Sequence, residues 1–163
     1  MRTSIVGINL IKEFESLHDG DLSIIGLQPK MCPAKVWTEG YGRAMRNKDG
    51  VFLKGVKDKK EAYASITIDN KQDAEQALIE DLRVFERIVS SKIKILLTQN
   101  QFDSLVSYTY NTGGSDTLFK LINKKAPEEQ IRKWFETKYI TANGVRLQGL
   151  VRRRKAESDL FFK

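Results

Sequence analysis

The stretch MCPAKVWTEGYGR, residues 31 to 43, holds the chain's single cysteine, Cys32, and Thr38 after five intervening residues. A thiol can serve as nucleophile, base or polar orienter, and a hydroxyl can hold a water molecule. A thiol of ordinary pKa, about 8.5, is only a few per cent ionised at pH 7, so Lys30, Lys35 or an arginine nearby would have to lower it. Upstream, Glu13 and Glu15 are candidate proton donors. A carboxyl with an ordinary pKa of about 4.3 keeps its proton near neutrality only where partial burial raises that value. Glu39 is a third carboxylate, and strand alternation leaves its direction, cleft or solvent, open.

One cysteine and one histidine exclude a disulfide framework and a multi-histidine metal site. The run HDGD at 18 to 21 lacks the longer ligand series of a calcium loop and reads as a capped turn. No metal and no cofactor is expected.

The elements that must position these residues follow from periodicity. Leu10, Ile11, Phe14 and Leu17 recur at helical spacing, which predicts an N-terminal helix over about 4–18 with Glu13 and Glu15 on opposite shoulders of its apolar stripe. Residues 19–70 are punctuated by glycine and proline around short apolar runs and read as a small β-containing lobe. Asp69 or Asn70 caps a long helix with Ala74, Ala77, Leu78, Leu82, Phe85, Ile88 and Val89 on its apolar face. Thr98-Gln-Asn-Gln101 has the capping-box form, and NTGG at 111–114 ends the helix it starts. Ser115 or Asp116, then Pro127, open two further helices, and Asn143-Gly144 turns the chain into the last one. Together 71–163 form a helical lobe, and 1–163 a single domain.

A net charge of +7 across 163 residues predicts attraction to polyanions, including nucleic acid, anionic membranes and acidic cell-wall polymers. Arg152-Arg153-Arg154-Lys155 is the strongest nucleic-acid signal, but no zinc-finger, RNA-recognition or Walker pattern accompanies it, so no nucleic-acid partner is expected. The amino terminus lacks a small-residue cleavage pattern and does not read as a secretory signal, and no window approaches the roughly 18 apolar residues of a membrane span.

Read together, KEFES, CPAKVWTEGYGR, QNQFDSLVSYTYNTGG and GLVRRRKAESDLF resemble, in order and over most of the chain, the phage-type lysozymes of glycoside hydrolase family 24. The resemblance implies an α+β lysozyme-like fold, mainly helical, with a small β lobe and an interlobe cleft. It places the catalytic positions at Glu15, Cys32 and Thr38, with Glu15 as general acid and the other two holding water, direct thiolate attack being less favoured. Sixteen residues separate Glu15 from Cys32 where relatives have about eight, so SLHDGDLSIIGLQPKM contains an insertion. Tyr110 and Asn111, and more weakly Thr117, are implied sugar contacts, and an arginine of 152–154 is implied to support Glu15.

The implied activity is that of a muramidase, hydrolysing the β-1,4 bond between N-acetylmuramic acid and N-acetylglucosamine in peptidoglycan, as in a phage or prophage endolysin. Two other outcomes are open at this point: a wall-binding protein impaired in catalysis, and a lytic transglycosylase. The endolysin reading implies synthesis in the bacterial host cytoplasm, action on the cell wall as a monomer, and release by a separate holin-type membrane permeabiliser.

Overall fold

The computed structural model describes residues 1–163. The chain is mainly helical, with α1 (Ile5–Glu15), α2 (Lys59–Ala64), α3 (Lys71–Lys92), α4 (Gln99–Thr112), α5 (Asp116–Asn123), α6 (Glu128–Thr137) and α7 (Gln148–Phe161). Three short strands, β1 (Lys30–Met31), β2 (Trp37–Glu39) and β3 (Arg43–Ala44), make one antiparallel sheet, and β4 (Thr141–Ala142) and β5 (Val145–Arg146) make a hairpin. This is the expected α+β class. Contacts divide the chain into two compact units, one of residues 1–14 with 82–163 and one of residues 15–81.

The first unit is built on α4, whose residues from Phe102 to Thr109 are all buried. Its start is the expected capping box, with Thr98 and Gln101 exchanging side-chain-to-backbone bonds. Its end is Gly113 at φ 81°, a left-handed conformation that glycine adopts without steric cost. Asp103, Ser104 and Ser107 within this buried run have hydrogen-bond partners. Asp103 accepts from Ser4 and Gln99, and Ser104 Oγ donates to the Glu157 carbonyl oxygen at 2.6 Å. α7 packs on α4 and α6. Between α4 and α7 the Glu157 carboxylate meets Arg153 Nε at 3.1 Å, Arg154 Nε at 2.9 Å and Ser107 Oγ at 2.8 Å. The basic run is therefore split: Arg153 and Arg154 are buried and Arg152 is exposed. At the amino end, Glu86 accepts from the Thr3 backbone N–H at 2.8 Å and from Arg2 Nη1 at 2.8 Å, tying the start of the chain to α3.

In the second unit, the sheet register pairs Lys30 with Thr38, Met31 with Trp37, Thr38 with Ala44 and Glu39 with Arg43. Alternation then sorts the side chains. Trp37 turns inward onto Met45, Leu53 and Ala62, with Met31 and Tyr63 against them, and its indole N–H donates to the Gly55 carbonyl at 2.8 Å. Beyond β3 the ladder continues, with the Leu53 N–H donating to the Met45 carbonyl at 3.0 Å around a turn held by Asn47. Arg43 Nε meets Asp81 at 2.9 Å and Arg43 Nη2 the Ala77 carbonyl at 2.7 Å, fastening the sheet to the early turns of α3.

The structure moves one expected boundary, adds one helix and chooses between two expected caps. α1 stops at Glu15, not near residue 18, because Ser16 takes a left-handed φ of 60° that no helix continues through. Within residues 19–70, KKEAYA forms the helix α2 against the sheet core. Asn70, not Asp69, caps α3, its Oδ1 accepting the Asp73 N–H at 2.9 Å. No helix is long and apolar enough to cross a membrane.

Candidate active site

A cavity of about 750 Å³ lies in the second unit. One sheet face supplies much of its wall: Lys30, Cys32, Val36, Thr38 and Ala44, the residues that alternation places opposite Trp37. Glu15 and His18 come from the end of α1 and the segment after it, Gly42 from the turn between β2 and β3, and Phe52 from the strand segment beyond β3.

Each candidate is held by local structure. Glu15 is the last residue of α1, half-buried, where the Ser16 turn leads the chain away. Its carboxylate stands over Gly42, at which an added Cβ would lie 3.7 Å from Glu15 Oε2 and whose φ of 98° is natural only for glycine. Glu13 is exposed, so the two shoulders of the helix resolve in favour of Glu15. Cys32 begins a tight turn. Its N–H donates to the Val36 carbonyl at 2.8 Å, and its own carbonyl accepts the Lys35 N–H at 2.8 Å. Cys32 thus faces Val36 and lies diagonal to Thr38, a spacing of about 7–8 Å between backbones.

Thr38 is buried and doubly engaged. Its hydroxyl donates to the Lys30 carbonyl at 2.9 Å, and His18 Nδ1 lies 2.7 Å from the same oxygen. Burial first and the Lys30 ammonium second push the His18 imidazole below its ordinary pKa of 6.5, with Glu15 pulling it back up. His18 escaped the sequence analysis because its partner is brought close only by folding; the sole clue was that it is the chain's one imidazole.

Glu39 does not join the wall. Its carboxylate accepts from the Thr67 N–H at 2.9 Å, the Thr67 hydroxyl at 2.6 Å and the Ile68 N–H at 3.1 Å, so it is a buried tie for the loop before α3. Asp19 and Asp21 of HDGD likewise accept nearby backbone N–H groups, as in capped turns. Phe52 offers an aromatic surface on the cavity wall, and the Arg46 guanidinium stacks on its ring at 3.6 Å.

The implied sugar contacts belong to the first unit. Tyr110 is half-exposed and meets Phe85 edge-on at 5.1 Å, whereas Tyr108 is fully buried. Asn111 is exposed, with its Oδ1 receiving Arg154 Nη2 at 2.9 Å, and Thr117 is exposed on α5.

A family model described as phage lysozyme matches residues 24–157, a span that includes Cys32 and Thr38 and leaves Glu15 and His18 upstream. The endolysin of Acyrthosiphon pisum secondary endosymbiont phage 1 is 31% identical over 99% of this chain and 98% of its own length. The endolysin of Bacillus phage B103 is 31% identical over 99% of this chain, which spans about half, 54%, of that relative. Among solved structures, the endolysin from Escherichia coli O157:H7 phage FAHEc1 superposes with a TM-score of 0.73 at 28% identity, covering 100% of this chain and 94% of that one.

Proposed function

The chain belongs to the phage lysozyme family and is a glycoside hydrolase with the muramidase activity of a phage endolysin, and we propose that Glu15, Cys32 and Thr38 carry its reaction. The bond cut is the β-1,4 link between N-acetylmuramic acid and N-acetylglucosamine in peptidoglycan. The readings as a wall-binding protein without catalysis or a lytic transglycosylase are not favoured.

The observation that carries the assignment is that Glu15, Cys32 and Thr38 line one cavity. Glu15 gives its proton to the glycosidic oxygen as the bond to the anomeric carbon breaks. On the other side, water is held between Cys32 and Thr38. Because the Thr38 proton is committed to the Lys30 carbonyl, Thr38 takes part as an acceptor, receiving a hydrogen from the water and aiming its lone pair. We assign Tyr110, Asn111 and Thr117 as sugar contacts, supported by the half-exposed ring of Tyr110 and the Asn111 carboxamide held by Arg154.

The net charge of +7 suits the anionic polymers of the wall. We further propose action as a monomer, since one chain supplies the whole cavity wall. Release by a separate membrane permeabiliser fits a chain in which no helix is suited to cross a membrane.

Turbidity loss on purified cell walls, followed with Glu15→Gln beside the unmutated protein, tests the assignment. Clearing by the unmutated protein, reducing-end products by mass spectrometry and a loss of about 10²-fold or more in the variant are expected. Binding without clearing, a predominance of 1,6-anhydro products, or undiminished clearing by Glu15→Gln would overturn it.

A further inference from the structure

The charge of the chain is unevenly divided. Residues 15–81, which supply the whole cavity wall, carry ten Lys and Arg against twelve Asp and Glu, whereas the other unit carries eighteen against nine. The positive surplus therefore belongs entirely to the unit without the cavity. One cluster of it sits where α3 and α5 end, joined by Asn123. The Asn123 Oδ1 accepts the Lys94 N–H at 2.7 Å, and its Nδ2 donates to the Lys92 carbonyl at 2.9 Å. Lys92, Lys94, Lys120, Lys124 and Lys125 are all exposed around this junction.

Lys92 Nζ meets Asp116 at 2.9 Å, the one ion pair within the cluster. The Asp116 carboxyl is held below its ordinary pKa by Lys92 first and by Lys120 in addition, so the Lys120 ammonium stands within electrostatic reach of the same group. A helix end carries about half a negative charge, which by itself favours a cation there. Five lysines exceed that demand. Set against Asp116, Glu129 at the start of α6 and the two helix ends, they leave a surplus of about two positive charges facing solvent. The neighbouring Glu128 is taken by Arg132 at 2.6 Å.

We propose that this lysine cluster binds the carboxylates of the peptide stems that peptidoglycan carries on the lactyl group of N-acetylmuramic acid, holding the wall at a surface outside the cavity. The partner follows from the lysozyme reading above, on which the proposal rests. Two observations favour stems over other polyanions. Thr117, assigned as a sugar contact, precedes Lys120 by three residues on α5 and shares its face, so glycan lying at Thr117 brings its stems toward Lys120. All five cations are also lysines. An ammonium on a flexible stem needs no planar partner and suits carboxylates on mobile peptides, whereas fixed bidentate recognition of phosphate favours arginine.

The test replaces all five lysines by glutamine in a Glu15→Gln background, which spares the walls, and measures co-sedimentation with purified sacculi stripped of phosphodiester polymers. Affinity is expected to fall by about tenfold or more and its salt dependence to flatten, with arginine at the same five positions restoring both. Glycan strands freed of their stems by an amidase are expected to bind the lysine and glutamine forms equally weakly. With Glu15 in place, the glutamine form should show a raised KM on sacculi and a kcat nearly unchanged. Unchanged affinity in the glutamine form, equal binding to sacculi and stem-free glycan, binding that requires phosphodiester polymers, or tighter binding to duplex DNA would each overturn the cluster's role and leave the lysozyme reading standing. Failure of the unmutated protein to clear walls that it binds through these lysines would overturn the lysozyme reading and not the cluster.

Discussion

Replacing Glu157 by leucine removes one carboxylate from between two guanidinium groups that have lost almost all contact with water. Arg153 is 3% exposed, and Arg154 and Glu157 are 0% exposed. Each guanidinium had its desolvation offset by the same carboxylate, at 3.1 Å for Arg153 and 2.9 Å for Arg154. Ser107 Oγ loses its acceptor too. Breaking a buried pair by deleting one partner costs about 3–5 kcal/mol, because the remaining charge stays buried. For a chain of this length each kcal/mol lowers Tm by about 2–4 °C, so a drop of about 6–20 °C is expected. Urea denaturation followed by circular dichroism reads the free energy directly. Glu157→Leu combined with Arg154→Met should recover part of the loss, since one of the two buried cations is then removed. A loss below about 1 kcal/mol for the single variant, with an unchanged denaturant slope, would show that the three side chains behave as a solvated surface pair and would refute the reasoning.

Gly42→Ala should cost about 1 kcal/mol or more, because an L side chain is strained at φ 98°. It should also slow wall clearing by setting a methyl 3.7 Å from Glu15 Oε2, which turbidity assays on the folded variant would show. Glu39→Ala orphans the buried Ile68 N–H and two groups of Thr67, a loss of about 1–3 kcal/mol. Amide hydrogen exchange at Thr67 and Ile68 should then accelerate, and unchanged protection would contradict the tie. For Glu86, burial raises the pKa, but the Thr3 N–H, Arg2 and the Thr3 hydroxyl outweigh it and leave the carboxyl below its ordinary 4.5. A depressed carboxyl stabilises the fold above the unfolded pKa and loses that contribution as pH falls through the folded one. Glu86→Gln should therefore be less stable at pH 7 and fall less steeply below pH 4.5 in urea midpoints measured across the acid range.

What could be read from the sequence was whatever depends on near neighbours. The α4 capping box needs only Thr98 and Gln101, and Cys32 and Thr38 stand in one short motif, CPAKVWT. Glu15 could be separated from Glu13 only by seeing which shoulder of α1 meets the Gly42 turn. Glu39 was ambiguous for a related reason: alternation puts it opposite Thr38, but that this side is interior depends on Thr67 and Ile68, far along the chain. The left-handed Ser16 carries no strong residue signal, so the end of α1 ran too long. His18 was hidden furthest, because its pairing with Thr38 lies across the very loop whose extra residues blur the alignment of motifs.

Every side chain of the cavity wall lies in the stretch from Glu15 to Phe52. Short loops forfeit little chain entropy on closing, and contacts close in sequence form quickly. Chains emerge from synthesis amino end first, so the proton donor, thiol, hydroxyl and imidazole all leave the ribosome before any part of α4 to α7. The assigned sugar contacts Tyr110, Asn111 and Thr117 stand on α4 and α5 and follow later, so the reacting groups are made before the groups that hold the substrate.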